Sequence, residues 1–241
     1  MQITTGNQTV SELAAGSLAA VRVFEKYGID YCCGGKRPLG DVCREKGLDD
    51  AAVQQELDAA LAGGAASGRD WNTAPLTELI EHIVSTHHAY LRRELPAIQT
   101  RLDKVYAVYN QRYGPTLTGL PDVYAALRSE LESHLQKEEI ILFPAVVACE
   151  SAVNASQPLP RLPFGTVANP VSVMEAEHES AGQALVRIRE ITEDFNVPEY
   201  GCVTYRALMS SLDELERDLH MHIHLENNIL FPRAEGLEQG R

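Results

Sequence analysis

A motif that occurs twice constrains this chain more than any other feature. His134–Pro144 and His222–Pro232 share the pattern His-x-x-x-Glu-x-x-Ile-Leu-Phe-Pro. A repeated Leu-Phe-Pro alone would serve as a helix-end packing device. A histidine and a carboxylate repeated at identical spacing ask for a chemical reason. At about 100° per residue, His and Glu four apart share one helix face, roughly 6 Å apart along the axis. With Leu131 as zero, Tyr124, Leu127, Leu142 and Ala145 fall within about 40° of it, and His134 and Glu138 lie at about −60° and −20°. In the second copy His222 and Glu226 share a stripe with Leu208, Leu212, Leu215, Leu219 and Leu230. Both pairs therefore project into a core, where an unpartnered carboxylate is prohibitive and a bound cation removes the penalty.

The surrounding pattern is helical throughout. Four long apolar-periodic stretches run from about 75 to 113, 122 to 149, 170 to 195 and 198 to 233, with Pro96 placed to kink the first. A long loop is expected between Ser151 and Asn169. Residues 1–62 read as short helices around a tight Cys32-Cys33-Gly34-Gly35 loop, with a capping box at Thr9–Glu12 and glycine stops at Gly28 and Gly47. Residues 63–73 are small, polar and rich in breakers, so they read as a linker. The expected architecture is all-α: a small helical N-terminal domain (1–62), a linker (63–73) and a four-helix bundle with a metal site (74–241).

Two further stripes supply histidines. His178 shares a face with Val171, Met174, Ala181, Leu185 and Ile188. His87 and His88 each sit about 50° off the stripe of Ile80, Val84, Leu91, Leu95 and Leu102, on opposite sides, so periodicity does not choose between them. His82, His220 and His224 fall off their stripes and read as surface residues. Four imidazoles and two carboxylates are too oxygen-poor for calcium and lack the thiolates of a structural zinc site. The set fits two iron ions, each with two imidazoles, bridged by both carboxylates and an oxide or hydroxide, and it equally admits manganese or a mixed metal pair. One position per metal then stays open for a diatomic ligand.

The formal net charge of −13 argues against a nucleic-acid or anionic-membrane surface. No apolar run approaches the roughly 20 residues of a membrane span. The first residues carry no visible secretory signal, and five cysteines without one suit reduced thiols in a cytoplasm. Adjacent cysteines cannot close an unstrained disulfide, and the flanking Gly34 and Gly35 suggest an open loop with exposed thiols at Cys32 and Cys33. Cys43, Cys149 and Cys202 read as packing residues.

Asp30–Gly35, Thr86–Pro96, Ser172–His178 and the two repeat motifs together resemble the iron–sulfur cluster repair di-iron proteins, over nearly the whole chain. That resemblance implies a cysteine-pair domain followed by a hemerythrin-like bundle. It implies metal ligands at His88, His134, Glu138, His178, His222 and Glu226. Here His88 is preferred to His87 because it stands seven residues before the leucine of Leu95-Pro96. Glu130 and Glu177 match acidic positions near the metals, and Cys32 and Cys33 match redox or transfer thiols. The implied role is restoring clusters damaged by nitric oxide or oxidants, with damaged iron–sulfur proteins as partners and a homodimer through the N-terminal segment. Turnover of nitric oxide by the metal pair and reversible dioxygen binding are the alternative readings.

Overall fold

The computed structural model describes residues 8–62, 69–113 and 117–240. The expected linker falls largely outside them, at 63–68. The chain divides into two compact units, Met1–Leu79 with His220–Arg241, and Ile80–Leu219. Among the described residues there is no strand; Thr9–Pro38 and Leu162–Gly165 are isolated bridges. No described helix is long and apolar enough to cross a membrane.

In the first unit the local signals act where the sequence places them. Thr9 caps α1 (Val10–Gly16) with both halves of the capping box, and the Ser17 side chain accepts from Ala19 N–H to start α2 (Leu18–Lys26). Helix α3 (Leu39–Lys46) ends on Gly47 at φ 65°, a conformation that costs a residue with a Cβ about 1 kcal/mol or more. Helix α4 (Asp50–Ala62) packs on α2, where Glu56 takes both Lys26 and the Tyr27 hydroxyl. Val10, Leu13, Val21, Phe24, Leu39, Val53 and Leu57 bury together with Ile223 from the C-terminal part of the same unit. Arg233 adds donors to the carbonyls of Trp71 and Ala74, at 2.6 and 2.7 Å.

The second unit is a four-helix bundle. It comprises α6 (Ala89–Tyr113), α7 (Leu120–Lys137), α9 (Ala168–Thr192) and α10, which runs Val203–Leu225 and so passes the end of the unit. Helix α5 (Leu76–Ile83) leads into α6, and α8 (Phe143–Asn154) continues the direction of the chain after α7. The stripes meet in one core: Leu91, Leu95, Ile98 and Leu102; Tyr124, Leu127 and Leu131; Ala181, Leu185 and Ile188; Leu208, Leu212, Leu215 and Leu219. Helix α6 runs through Pro96 as one helix. Helix α9 stops where Glu193, Asp194 and Phe195 all take positive φ.

The long helices contain a feature that a fixed 100° step misses. Five-residue π-helical turns interrupt them at π1 (Val84–His88), π2 (Glu138–Leu142) and π3 (Glu226–Leu230), the last two followed by α8 and by α11 (Phe231–Glu238). Pro144 and Pro232 stand at the second position after π2 and π3. A proline ring clashes with the carbonyl four residues back and offers it no N–H. A wider turn relieves that clash. In both copies the phenylalanine N–H reaches back five residues, Phe143 to Glu138 O and Phe231 to Glu226 O. The Leu-Phe-Pro of the motif is thus the signature of the π turn that begins at each glutamate.

The Tyr124 hydroxyl, fully buried, donates to Leu95 O at 2.9 Å and ties α7 to α6. Tyr124→Phe leaves that carbonyl its helical partner and removes only the cross-link. It should lower stability to urea by about 1 kcal/mol with bound metal unchanged.

Candidate metal centre

On three helices of the Ile80–Leu219 bundle, a ligand-type side chain stands one turn from a residue of the leucine-rich core. His88 precedes Leu91, His134 follows Leu131, and His178 precedes Ala181. All three rings are buried, as is Glu138, which has no exposed surface. His134, Glu138 and His178 present ligand atoms within 4.8 Å of one another. His88 Nε2 lies 3.3 Å from Glu138 Oε2, and His134 Nε2 lies 3.3 Å from Glu138 Oε1.

The hydrogen bonds behind these rings decide which nitrogen faces inward. His134 Nδ1 donates to Glu177 Oε2 at 2.9 Å, and Lys137 also pairs with Glu177. His88 Nδ1 donates to Glu139 Oε1 at 2.6 Å, while Arg92 donates to the other oxygen at 2.7 Å. Burial pushes the Glu139 and Glu177 carboxyls up, but hydrogen bonds from Arg92 and His88, and from Lys137 and His134, outweigh it and hold both low. With Nδ1 committed to Glu139 and Glu177, Nε2 of each ring is the atom left to face inward. His88 and His134 therefore turn Nε2 toward a buried carboxylate, neither of whose oxygens accepts a hydrogen bond. His178 Nε2 and His134 Nε2 share a hydrogen bond at 3.0 Å, one ring's N–H donating to the other. A buried carboxylate that accepts no hydrogen bond is costly, and a cation at the common focus of these side chains removes the cost. The donor set fits a metal on these grounds.

His87 and His88 separate cleanly. His88 turns inward to Glu138, whereas His87 Nδ1 bonds Asp218 Oδ1 at 2.9 Å. Of the two acidic positions suggested by resemblance, Glu177 is on a ring of the set. Glu130 is exposed and accepts from the Ser180 hydroxyl at 3.1 Å. Glu139, which the sequence reading passed over, holds His88. Its signal was the Glu138-Glu139 doublet, whose second member lies off the core stripe.

In the other unit, His222 and Glu226 are both buried, and His222 Nε2 is 3.0 Å from Glu226 Oε1. His224 corrects the expectation of a surface residue: it is buried against the Tyr31 ring (5.4 Å, edge-on), and its Nδ1 accepts from Asn228 Nδ2 at 2.8 Å. Burial pushes its pKa down to about 4, so it is neutral. His220 is half-buried, edge-on to the same ring at 6.2 Å, and His82 is half-buried.

The cysteine loop is closed, not open. The backbone N–H groups of Cys32 and Cys33 donate to Asp30 Oδ1, both at 3.0 Å, and Gly34 N–H donates to Oδ2 at 2.8 Å. A Cβ at Gly34 would meet Oδ2 at 2.9 Å, and one at Gly35 would meet Tyr31 O at 2.7 Å. The glycines let the chain wrap its own carboxylate. Cys32 is buried and Cys33 half-buried, and neither is in a disulfide. Cys32 Sγ lies 3.7 Å from Cys33 Sγ and 3.3 Å from Asp30 Oδ1. The Cys33 contact, burial and the Asp30 charge raise its pKa well above that of an ordinary thiol. Cys43 and Cys149 are buried as expected. Cys202 is exposed instead, just before α10, because it serves that helix start; the Tyr109 hydroxyl and the N–H groups of Tyr205 and Thr204 lower its pKa.

Comparison with known proteins agrees with this construction. Residues 79–234 match the hemerythrin HHE cation-binding domain, and residues 6–61 match a domain of unknown function, DUF542. The chain is 39% identical over 229 residues to the iron-sulfur cluster repair protein YtfE of Citrobacter koseri, covering 95% of this chain and 96% of that one. It is 39% identical over 229 residues to YtfE of Escherichia coli O157:H7, with the same coverage. With YtfE of Cronobacter sakazakii the identity is 40% over 228 residues, again 95% and 96% of the two chains. The chain belongs to the iron-sulfur cluster repair protein family, its bundle being a hemerythrin-type cation-binding domain.

Proposed function

We propose that His88, His134, Glu138 and His178 join His222 and Glu226 in one binuclear iron centre, and that the protein restores damaged iron–sulfur clusters from it. The observation that carries this reading is Glu138, a buried carboxylate without hydrogen bonds, faced by the Nε2 atoms of His88 and His134 at 3.3 Å. The second copy of the motif supports it: His222 follows Leu219 by one turn on the unbroken helix α10 and repeats the His–Glu pairing at 3.0 Å. The matched cation-binding domain includes all six residues. Glu138 and Glu226 would hold the metals as carboxylate ligands beside the four imidazoles. When bound, the metal pair supplies releasable iron and open positions for nitric oxide or dioxygen.

The chain's own residues set how firmly iron is held. Carboxylates and neutral imidazoles form a harder, more labile cage than thiolates. Glu139 and Glu177 keep Nδ1 of His88 and His134 protonated and the rings aimed inward. Leu91, Leu131 and Leu219 close the core next to the ligands and keep it dry. Cys32 and Cys33 are soft ligands suited to accept iron in passage, giving up their thiol protons as they bind. The client is an iron–sulfur protein damaged by nitric oxide or oxidants, met in the cytoplasm. A homodimer forms through the N-terminal segment.

The test is metal analysis with absorption spectra of the purified protein, before and after reduction and nitric oxide. It is paired with reactivation of an iron–sulfur enzyme inactivated by nitric oxide. Two irons per chain and reactivation are expected; one iron per chain, or a stable reversible dioxygen adduct without reactivation, overturns the reading. Glu226→Ala should weaken iron binding by about 100-fold or more in competition with a chelator, while His224→Ala leaves two irons bound. Glu139→Ala and Glu177→Ala should each weaken it by about 10–100-fold, and Glu130→Ala should have no effect.

A further inference from the structure

The two copies of the motif diverge directly after the glutamate. The first continues Glu138-Glu139-Ile140, the second Glu226-Asn227-Asn228. In the first copy, Glu139 takes the Nδ1 proton of His88 and Ile140 is 73% exposed. In the second, both asparagine side chains turn to the cysteine loop of the same unit. Asn228 Nδ2 donates to Tyr31 O at 2.9 Å, and Asn227 Nδ2 to Cys32 O at 3.4 Å. Asn228 Nδ2 also donates to His224 Nδ1 at 2.8 Å, and the Tyr31 ring packs edge-on against His224. The loop is thus held from two sides, by its own Asp30 within and by the π3 amides beneath. Held so, it buries Cys32 in the apolar cluster with Tyr31 and Ile223, while Cys33 stays half-exposed at the edge of that cluster.

We propose that Asn228, assisted by Asn227, is a positioning residue for the cysteine pair: it fixes the Tyr31–Cys32 backbone so that Cys33 alone presents its thiol and Cys32 is held in reserve. The pair is thereby divided into an outward thiol that meets iron or a client first and a buried neighbour at 3.7 Å that can join it only when the loop lifts from π3. This deepens the transfer reading of Cys32 and Cys33 and rests on it for its purpose. Because Asn227 and Asn228 follow Glu226 within π3, the loop is anchored to the turn that carries a proposed ligand.

Site-resolved alkylation tests the assignment. The full-length, iron-loaded protein is treated with iodoacetamide, which forms a sulfur–carbon bond with loss of iodide and of the thiol proton to buffer. Fragment-ion mass spectrometry then follows each cysteine, with exposed Cys202 as the reference rate. In the wild type, Cys33 should react about tenfold or more faster than Cys32. Asn228→Ala should speed Cys32 by about tenfold, with iron content and the Cys202 rate unchanged. Asn228→Asp, which sets an acceptor against the Tyr31 carbonyl, should do the same. Glu56→Ala serves as the control, since it loosens α2 from α4 without touching the loop and should leave the Cys33-to-Cys32 ratio unchanged. Equal wild-type rates overturn the proposal whatever the variants do. So does an unchanged ratio in Asn228→Ala, or an equal shift in Glu56→Ala. A protein that keeps the ratio but reactivates no cluster upholds the positioning role and overturns the repair reading alone.

Discussion

The structure is organised around a carboxylate that water cannot reach. Glu138 is fully buried, neither oxygen accepts a hydrogen bond, and the Nε2 atoms of His88 and His134 face it at 3.3 Å. Burying an ionised carboxylate without a counter-charge costs several kcal/mol even after relaxation, a large fraction of the stability of a whole domain. A cation satisfies all of these groups at once. The leucine layers of the bundle hold the rings in place, and the outer carboxylates Glu139 and Glu177 prevent the rings from flipping to donate inward.

The order in which these parts could be read from the sequence follows from the physics of each. Periodicity reports which face of a helix is apolar, so the stripes carrying His134, His178 and His222 were legible, as were the capping box at Thr9 and the stop at Gly47, which act within one turn. Periodicity could not separate His87 from His88, because each lies about equally far from the stripe centre. What separates them is π1, which rotates the chain at that point, and Asp218 on another helix, which takes His87. The first is an irregularity that a fixed step cannot show, and the second lies on another helix.

His224 and Cys32 failed for a different reason. Helical arithmetic put His224 on the face opposite His222, which holds, but it equated "off the stripe" with "in water". The face is covered by Tyr31 from a segment almost 200 residues away, a tertiary contact that leaves no trace in the period. Cys32 is the other side of the same contact. Its glycines looked like spacers for an open loop because their role, admitting the Asp30 carboxylate and the Tyr31 carbonyl at under 3 Å, depends on where the loop folds back on itself.

The π turns connect these observations. A proline two positions beyond the turn forbids an ordinary hydrogen bond in the turn before it, so each Leu-Phe-Pro widens the helix directly after its glutamate. Up to that glutamate the 100° step is intact, which is why His134 and Glu138 were correctly placed on one face. Beyond it the step fails: Phe143 is buried, although ideal geometry puts it about 120° from Leu131. Widening also turns the two residues after the glutamate outward from the ligand face, freeing their side chains for other partners. One copy of the motif spends that freedom on His88 through Glu139, and the other spends it on the cysteine loop through Asn227 and Asn228. The same backbone irregularity that follows each glutamate therefore supplies the attachment points for what surrounds it, and two residues of divergence suffice to give the two copies different partners.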